Sequence, residues 1–312
     1  MKKLLAAAGF ALLALTAGGC RGPDAGASRE LDLAAWQLWR QERIEELTAE
    51  DGWLALIGLY WLAEGQPARF GAAAENEIVL PPRPAFAGAP GTLGSLLWEG
   101  EDVTLTPAAA GVLEVDGVPV GGEPLALRAD TDEEPSLLSI GTVELGIIGR
   151  AGEIGVRARD RASERRALLD EIPAFPPSAR YLLDASFEPG EEGATLPIVN
   201  VLGQVTDEPN PGALVFELDG RELRLQALAT AREGRYFLLV GDQTNGVETY
   251  GGGRYLYVER REDGGVDLDL NRLYNPPCVF TEFATCPLPP RENRLPVRVE
   301  AGEKLWEGDL AH

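Results

Sequence analysis

Between Asp242 and Arg294 the chain gathers the side chains best suited to chemistry. Asp242 and Thr244 follow an apolar run, Glu248-Thr249-Tyr250 precede Gly251-Gly252-Gly253, and Arg254 comes next. Two carboxylates near a guanidinium would serve a hydrolase, with Asp242 or Glu248 as general acid or base and Arg254 stabilising developing negative charge. Three glycines allow close backbone approach or positive φ, and their amides can form an anion-binding nest. Thr249, Tyr250, Asn271, Tyr274, Asn275 and Arg294 complete the candidate ligand-binding set. The same pattern also suits a glycine-rich hairpin that Arg254 ties to Asp242 or Glu248. The Gly-Lys-Ser/Thr ending of a phosphate loop is missing. Asp267, Asp269 and Asn271 alternate and would share one strand face, but their spacing is not that of an EF-hand. A solvated face is expected there, with no metal site and no cofactor assigned.

The rest of the composition narrows the chemistry. The chain has 312 residues, 50 Asp+Glu against 28 Lys+Arg, and a formal charge of −22. Nucleic-acid binding needs a basic stripe that this balance argues against. The single His is His312, which disfavours Ser-His-Asp and Cys-His catalysis and His-ligated zinc. Cys278 and Cys286 are spaced too widely for a Cys-x-x-Cys redox pair, and two thiols make half a zinc site. In an exported chain they suggest a disulfide.

The elements that must position these groups are mainly β. Leu31 to Ala49 predicts an amphipathic helix, with Ala35, Trp36, Trp39, Arg43 and Leu47 near helical spacing, ended by Asp51-Gly52. Trp53 to Leu62 predicts a buried strand. From 66 to 160, short β segments alternate with Gly and Pro turns: 77–80, 102–105, 112–115, 137–140 and 143–148. Arg157 to Arg166 is taken as a charged connector, and Pro173 to Pro177 as a boundary. A second β set follows at 181–187, 196–202, 213–218, 222–228, 236–240 and 254–259, with Asp219-Gly220 as a hairpin signal. The Pro-rich stretch beyond Asn271 must be extended, and Asn271, Arg272, Asn275 and Arg294 are expected to satisfy its backbone. The expected domains are 1–19, 20–29, 30–172 with the helix and first β module, and 173–312 with the second.

Lys2 and Lys3 followed by the apolar run Leu4–Ala17 predict an export signal too short to span a bilayer. Ala17-Gly18-Gly19-Cys20 resembles a bacterial lipobox, which implies lipidation at Cys20, a flexible tether over 20–29, and a periplasmic or cell-surface location. The membrane is then one partner, and an unknown small ligand or envelope protein the other.

Two resemblances extend this. The order Arg69-Phe70-Gly71, Asn76 to Leu80, then Val115 to Val118 resembles a forkhead-associated sandwich in architecture only. Phe70-Gly71 stands where that family has Gly-Arg and the Ser-x-x-His element is missing, so phosphopeptide binding is not implied. Glu248 to Leu256, Asp269 to Cys278, Phe283 to Pro290 and Glu292 to Pro296 together resemble the bacterial and archaeal family known as domain of unknown function 1684. Gly52-Trp53-Leu54 and Phe70 to Pro81 resemble the same family's opening. The family implies no reaction. The sequence therefore supports an uncharacterised envelope lipoprotein with a ligand-binding or structural role, the carboxylate hydrolase being the alternative.

Overall fold

A computed structural model describes residues 30–308. The signal, Cys20 and the tether lie outside the described residues.

The helix runs Leu33–Thr48, capped by Asp32, whose side chain accepts from the Ala35 amide at 2.9 Å. Trp36, Arg40, Arg43 and Leu47 fall on one helical stripe, and this stripe docks. Trp36 Nε1 donates to the Asn271 carbonyl, Arg40 to that of Ile172, and Leu47 is buried.

The first β module is a sandwich. One sheet has the order Leu56–Trp61, Glu153–Asp160, Val143–Arg150, Leu137–Ile140, Glu114–Val115, Val118–Pro119. The other has Ile78–Val79, Ala68–Gly71, Gly94–Glu99, Asp102–Pro107, Leu125–Leu127. Phe70, Leu96 and Leu105 from the second sheet share one core with Val143, Val156 and Ala158 from the first. The expected connector at Arg157 needs correction. Arg157, Arg159 and Asp160 belong to the strand Glu153–Asp160, which is paired on both sides. Val156 and Ala158 supply the inward alternation, which the density of arginines obscures. The strand expected from Trp53 begins only at Leu56, after a 3₁₀ turn over Trp53–Ala55.

The second module is a nearly closed, barrel-like sheet. Its order is Arg254–Glu259, Arg235–Val240, Arg221–Ala229, Gly212–Leu218, Leu182–Pro189, Gly265–Asp269. The two end strands approach through the Arg260–Val266 bridge. Asp219 and Gly220 both take positive φ, +55° and +73°, as a tight hairpin turn requires. Leu214, Phe216, Leu225, Leu238, Leu256 and Leu268 fill its interior. A separate hairpin, Thr195–Val199 with Val205–Pro209, covers part of the outer face.

The Pro-rich segment straps the molecule together. It is extended apart from 3₁₀ turns at Pro277–Val279 and Arg291–Asn293, and Cys278 and Cys286 are bonded to each other. Phe280 packs with Leu47, Leu54, Leu169 and Ile172, so helix, first module and strap share one apolar junction. Pro289 of the strap lies against Gly253, where φ is +84°. A Cβ there would sit 2.4 Å from Pro289 Cγ and 2.8 Å from the Val240 carbonyl oxygen. Gly253→Ala should therefore destabilise the fold by about 1–3 kcal/mol, from backbone strain alone and before any clash is relieved. Urea unfolding of this variant beside Gly251→Ala, whose Cβ meets only the Gly246 Cα at 3.9 Å, checks the site-specificity of the loss.

Candidate functional site

The groups that look most reactive in the sequence are brought together as a closed clasp. The strand Arg235–Val240 ends at Gly241, whose backbone pairs with Asn293 and Leu295 at 2.9 and 2.8 Å. Asp242 then turns inward. Its Oδ1 accepts from the Thr244 and Val299 amides at 2.7 and 3.2 Å, and its Oδ2 accepts from Arg254 Nη2 at 2.7 Å. Neither side chain of this pair is exposed to solvent. Arg254 also donates to the carbonyls of Val299, Ala301 and Glu303. Burial depresses the basicity of its guanidinium, and the Asp242 charge opposes that loss.

The neighbouring candidates are equally occupied. The Thr249 hydroxyl pairs with that of Thr244 at 2.9 Å and accepts from Asn245. Glu248 binds Arg298 at the surface. Tyr250 is half-buried against Gly252, Gly251 is exposed, and burial raises the Tyr250 phenol pKa. Asn271 exchanges hydrogen bonds with the Ser178 backbone at 2.8 and 3.0 Å. Asn275 donates from its side chain to the Lys304 carbonyl at 2.7 Å. Arg294 is exposed, and it is its backbone that joins the strap to Gly241. Of the four expected strap partners, Asn271 and Asn275 bond backbone outside the strap, at Ser178 and Lys304, whereas Arg272 pairs with Asp269. Asn293, not singled out in the sequence, holds Gln226 and Leu239 backbone groups through three bonds. Asp267 belongs to an exposed cluster on Arg261, while Asp269 caps the turn at Asn271.

Tyr274 is the candidate that faces an opening. A cavity of about 400 Å³ lies where the two β modules, the helix and the strap meet. The barrel contributes Phe237, Tyr255 and Tyr257 on its outer face, because Tyr236, Leu238 and Leu256 take the inward positions. Tyr274 joins them through a two-way backbone pairing with Tyr255 at 2.8 and 3.0 Å. Phe237 and Tyr257 stack at 4.7 Å, and the Tyr274 ring lies within 18° of parallel to Tyr257. The strap adds Pro277, Pro287 and the bonded Cys286. The helix adds Arg43, and the first module adds Trp53, Arg150 and Arg157.

Three guanidinium groups thus meet in a strongly acidic protein. Arg150 pairs with Asp130 at 2.7 Å. Arg43 lies 4.4 Å over the Tyr274 ring, 3.3 Å from Glu46 and 3.5 Å from the buried Glu303. Arg157 faces Trp53 at 5.5 Å and donates to the Thr285 hydroxyl at 3.3 Å, but has no carboxylate partner among the described residues. Its Nε is buried with no acceptor. Burial, helped by the Arg150 charge, pulls its pKa down to about 10. The alternation of Tyr255 and Tyr257 with Leu256 and Val258 is the sequence signal that this strand is apolar on both faces. Arg157 carries no such signal, since nothing local distinguishes it from Arg159. A larger cavity, about 670 Å³, runs along Pro81–Pro84 of the sandwich; there Arg83 faces Asp160 at 3.0 Å and Arg165 is held by the Leu56 and Phe280 carbonyls.

A β-sandwich and a barrel-like sheet strapped around an aromatic cleft define a two-module β protein with a concave site. Within that class, a family model described as a protein of unknown function (DUF1684) matches residues 167–304. The solution NMR structure of an uncharacterised protein of Haloarcula marismortui is 30% identical, with 48% of this chain and 82% of that chain covered and a TM-score of 0.38. No curated protein matches. The chain belongs to the DUF1684 family, and the match contains the barrel, the strap and the clasp.

Two outcomes follow from these pairings. Asp242→Asn should cost about 3–5 kcal/mol, because the sealed Arg254 charge loses its counter-ion; chemical denaturation measures it. Glu303 is 2% exposed and accepts from the Asn275 amide at 2.6 Å. Burial raises its pKa above the ordinary 4.5, against the opposing pull of Arg43. Its folded state thus holds a proton that the unfolded state has released. That contribution to stability is complete below the unfolded pKa and is lost as pH rises through the folded one. Glu303→Gln should remove the decline, read as melting temperatures of both proteins from about pH 4 to pH 8.

Proposed function

We propose that this protein is an exported lipoprotein, lipidated at Cys20 and held on the cell envelope, that binds a small ligand in the cleft between its two β modules. The observation carrying the binding role is the cleft itself: about 400 Å³, walled by Trp53, Phe237, Tyr257 and Tyr274, with three guanidinium groups at its margin. Concave, largely apolar surfaces with a few convergent polar groups are the usual form of small-molecule sites. Exposed aromatic rings in a soluble module otherwise carry a cost, and Tyr257 is 44% exposed. The address rests on Lys2, Lys3, the apolar run and the Ala17–Cys20 sequence. A small ligand suits this concavity better than a protein partner does.

The carboxylate-hydrolase alternative finds less support. Asp242 is sealed beside Arg254 and Glu248 is tied to Arg298, so neither faces a cavity with a free partner carboxylate. The proposal has two tests. Cys20→Ser should move the protein from the membrane to the soluble fraction of its host. A metabolite library screened by thermal shift should give hits that raise the melting temperature of the native protein but not of Tyr257→Ala. Hits that survive this substitution would place the ligand elsewhere.

A further inference from the structure

We propose that the cleft takes a flat organic monoanion, an aromatic carboxylate, whose carboxylate docks on Arg157. This rests on the cleft being the binding site, as argued above, and adds the chemistry of its occupant. The sign of the charge follows from the pairing pattern. Arg43 and Arg150 each face a carboxylate, whereas Arg157 has only the Thr285 hydroxyl and the Trp53 ring. An arginine stays protonated even when burial weakens it, and the carboxylate that acts on Arg157 through space, Asp130, is already bridged to Arg150, so this part of the cleft holds an excess of positive charge at neutral pH. Its Nε is buried without an acceptor, so the guanidinium is incompletely satisfied within the protein.

The number of charges is limited as well as their sign. One free guanidinium matches one negative charge. Glu46 borders the cleft, so a dianion such as a phosphate monoester would meet more like-charge repulsion at short range than a monoanion does. The net charge of −22 adds long-range repulsion that grows with ligand charge. The shape follows from the rings. Tyr257 and Tyr274 are within 18° of parallel, and Phe237 stacks with Tyr257 at 4.7 Å. Planar faces of this kind select a planar, apolar body. A carboxylate on such a body also matches the fork of a guanidinium in two parallel bonds.

The test is calorimetric titration of the purified full-length protein with benzoate and indole-3-acetate, beside their neutral amides, benzamide and indole-3-acetamide, and inorganic phosphate. The acids should bind about tenfold or more tightly than the amides, as a charge-assisted hydrogen bond implies. Arg157→Gln should abolish that preference while leaving amide binding in place. The acid–amide comparison is made on the native protein, so it decides the matter even if the variant fails to fold. Equal binding of acid and amide, lost in Tyr257→Ala, would overturn the anion while leaving the cleft as the site. Phosphate binding as tight as that of benzoate would overturn the flat monoanion. Failure of acids and amides alike would overturn the cleft reading and this inference together.

Discussion

The structure depends on one buried ion pair. Arg254 begins a barrel strand, yet its guanidinium reaches out of the sheet to Asp242 and to the carbonyls of Val299, Ala301 and Glu303. Taking both charges out of water is expensive, and the pair by itself is weak evidence of net stability. What it provides is geometry. A guanidinium presents fixed donors, and here they set the path of residues 299–303, which have no sheet ladder of their own. The Asp242 carboxylate fixes the same path from the other side by accepting the Val299 amide.

That path positions the cleft. Once Glu303 is held by Arg254 through its carbonyl, its side chain meets the Asn275 amide and Arg43. Asn275 in turn binds the Lys304 carbonyl, so the strap and the C-terminal stretch are stitched together. Tyr274, one residue earlier, is thereby locked against Tyr255 with its ring toward the helix. The disulfide closes the next part of the strap and contributes about 2–3 kcal/mol through a small loop. The aromatic wall is thus built by backbone pairing and buried polar contacts, and its rings are free of structural hydrogen-bonding duty except at Tyr255, which donates to the Pro287 carbonyl at 2.7 Å.

Much of this was legible before the fold was known. The strand Arg254–Glu259, the Asp219-Gly220 turn, the β-rich class and the Cys278–Cys286 pairing follow from local patterns that act over a few residues. Backbone hydrogen bonding by Asn271 and Asn275 was expected, but their side chains hold Ser178 and Lys304 outside the strap rather than the Pro-interrupted backbone itself. The cleft was not legible, because its walls come from four stretches far apart in sequence. Arg157 was hidden for a second reason. Its neighbours Arg159, Arg161, Arg165 and Arg166 make the segment look uniformly solvated, although Val156 and Ala158 are fully buried. Strand alternation with arginine on the outer positions is easily mistaken for a charged linker.

The contrast between Arg254 and Arg157 explains why the more chemical-looking motif is the less available one. Arg254 is fully buried and Arg157 partly so, and both lose basicity to burial. Arg254 is compensated locally: its carboxylate partner lies twelve residues upstream, and the turn between them holds the glycines that let the chain close on itself. Density of reactive residue types in one segment therefore favours their mutual satisfaction, since each finds a partner at little cost in chain entropy. Arg157 sits in the middle of a sandwich strand, among residues that face either the core or other arginines. The nearby Asp130 is taken by Arg150, and the barrel that packs beside Arg157 presents aromatic rings instead. A binding site in a two-module protein is favoured at such a junction, where neither module alone can complete the electrostatics of the other's exposed groups.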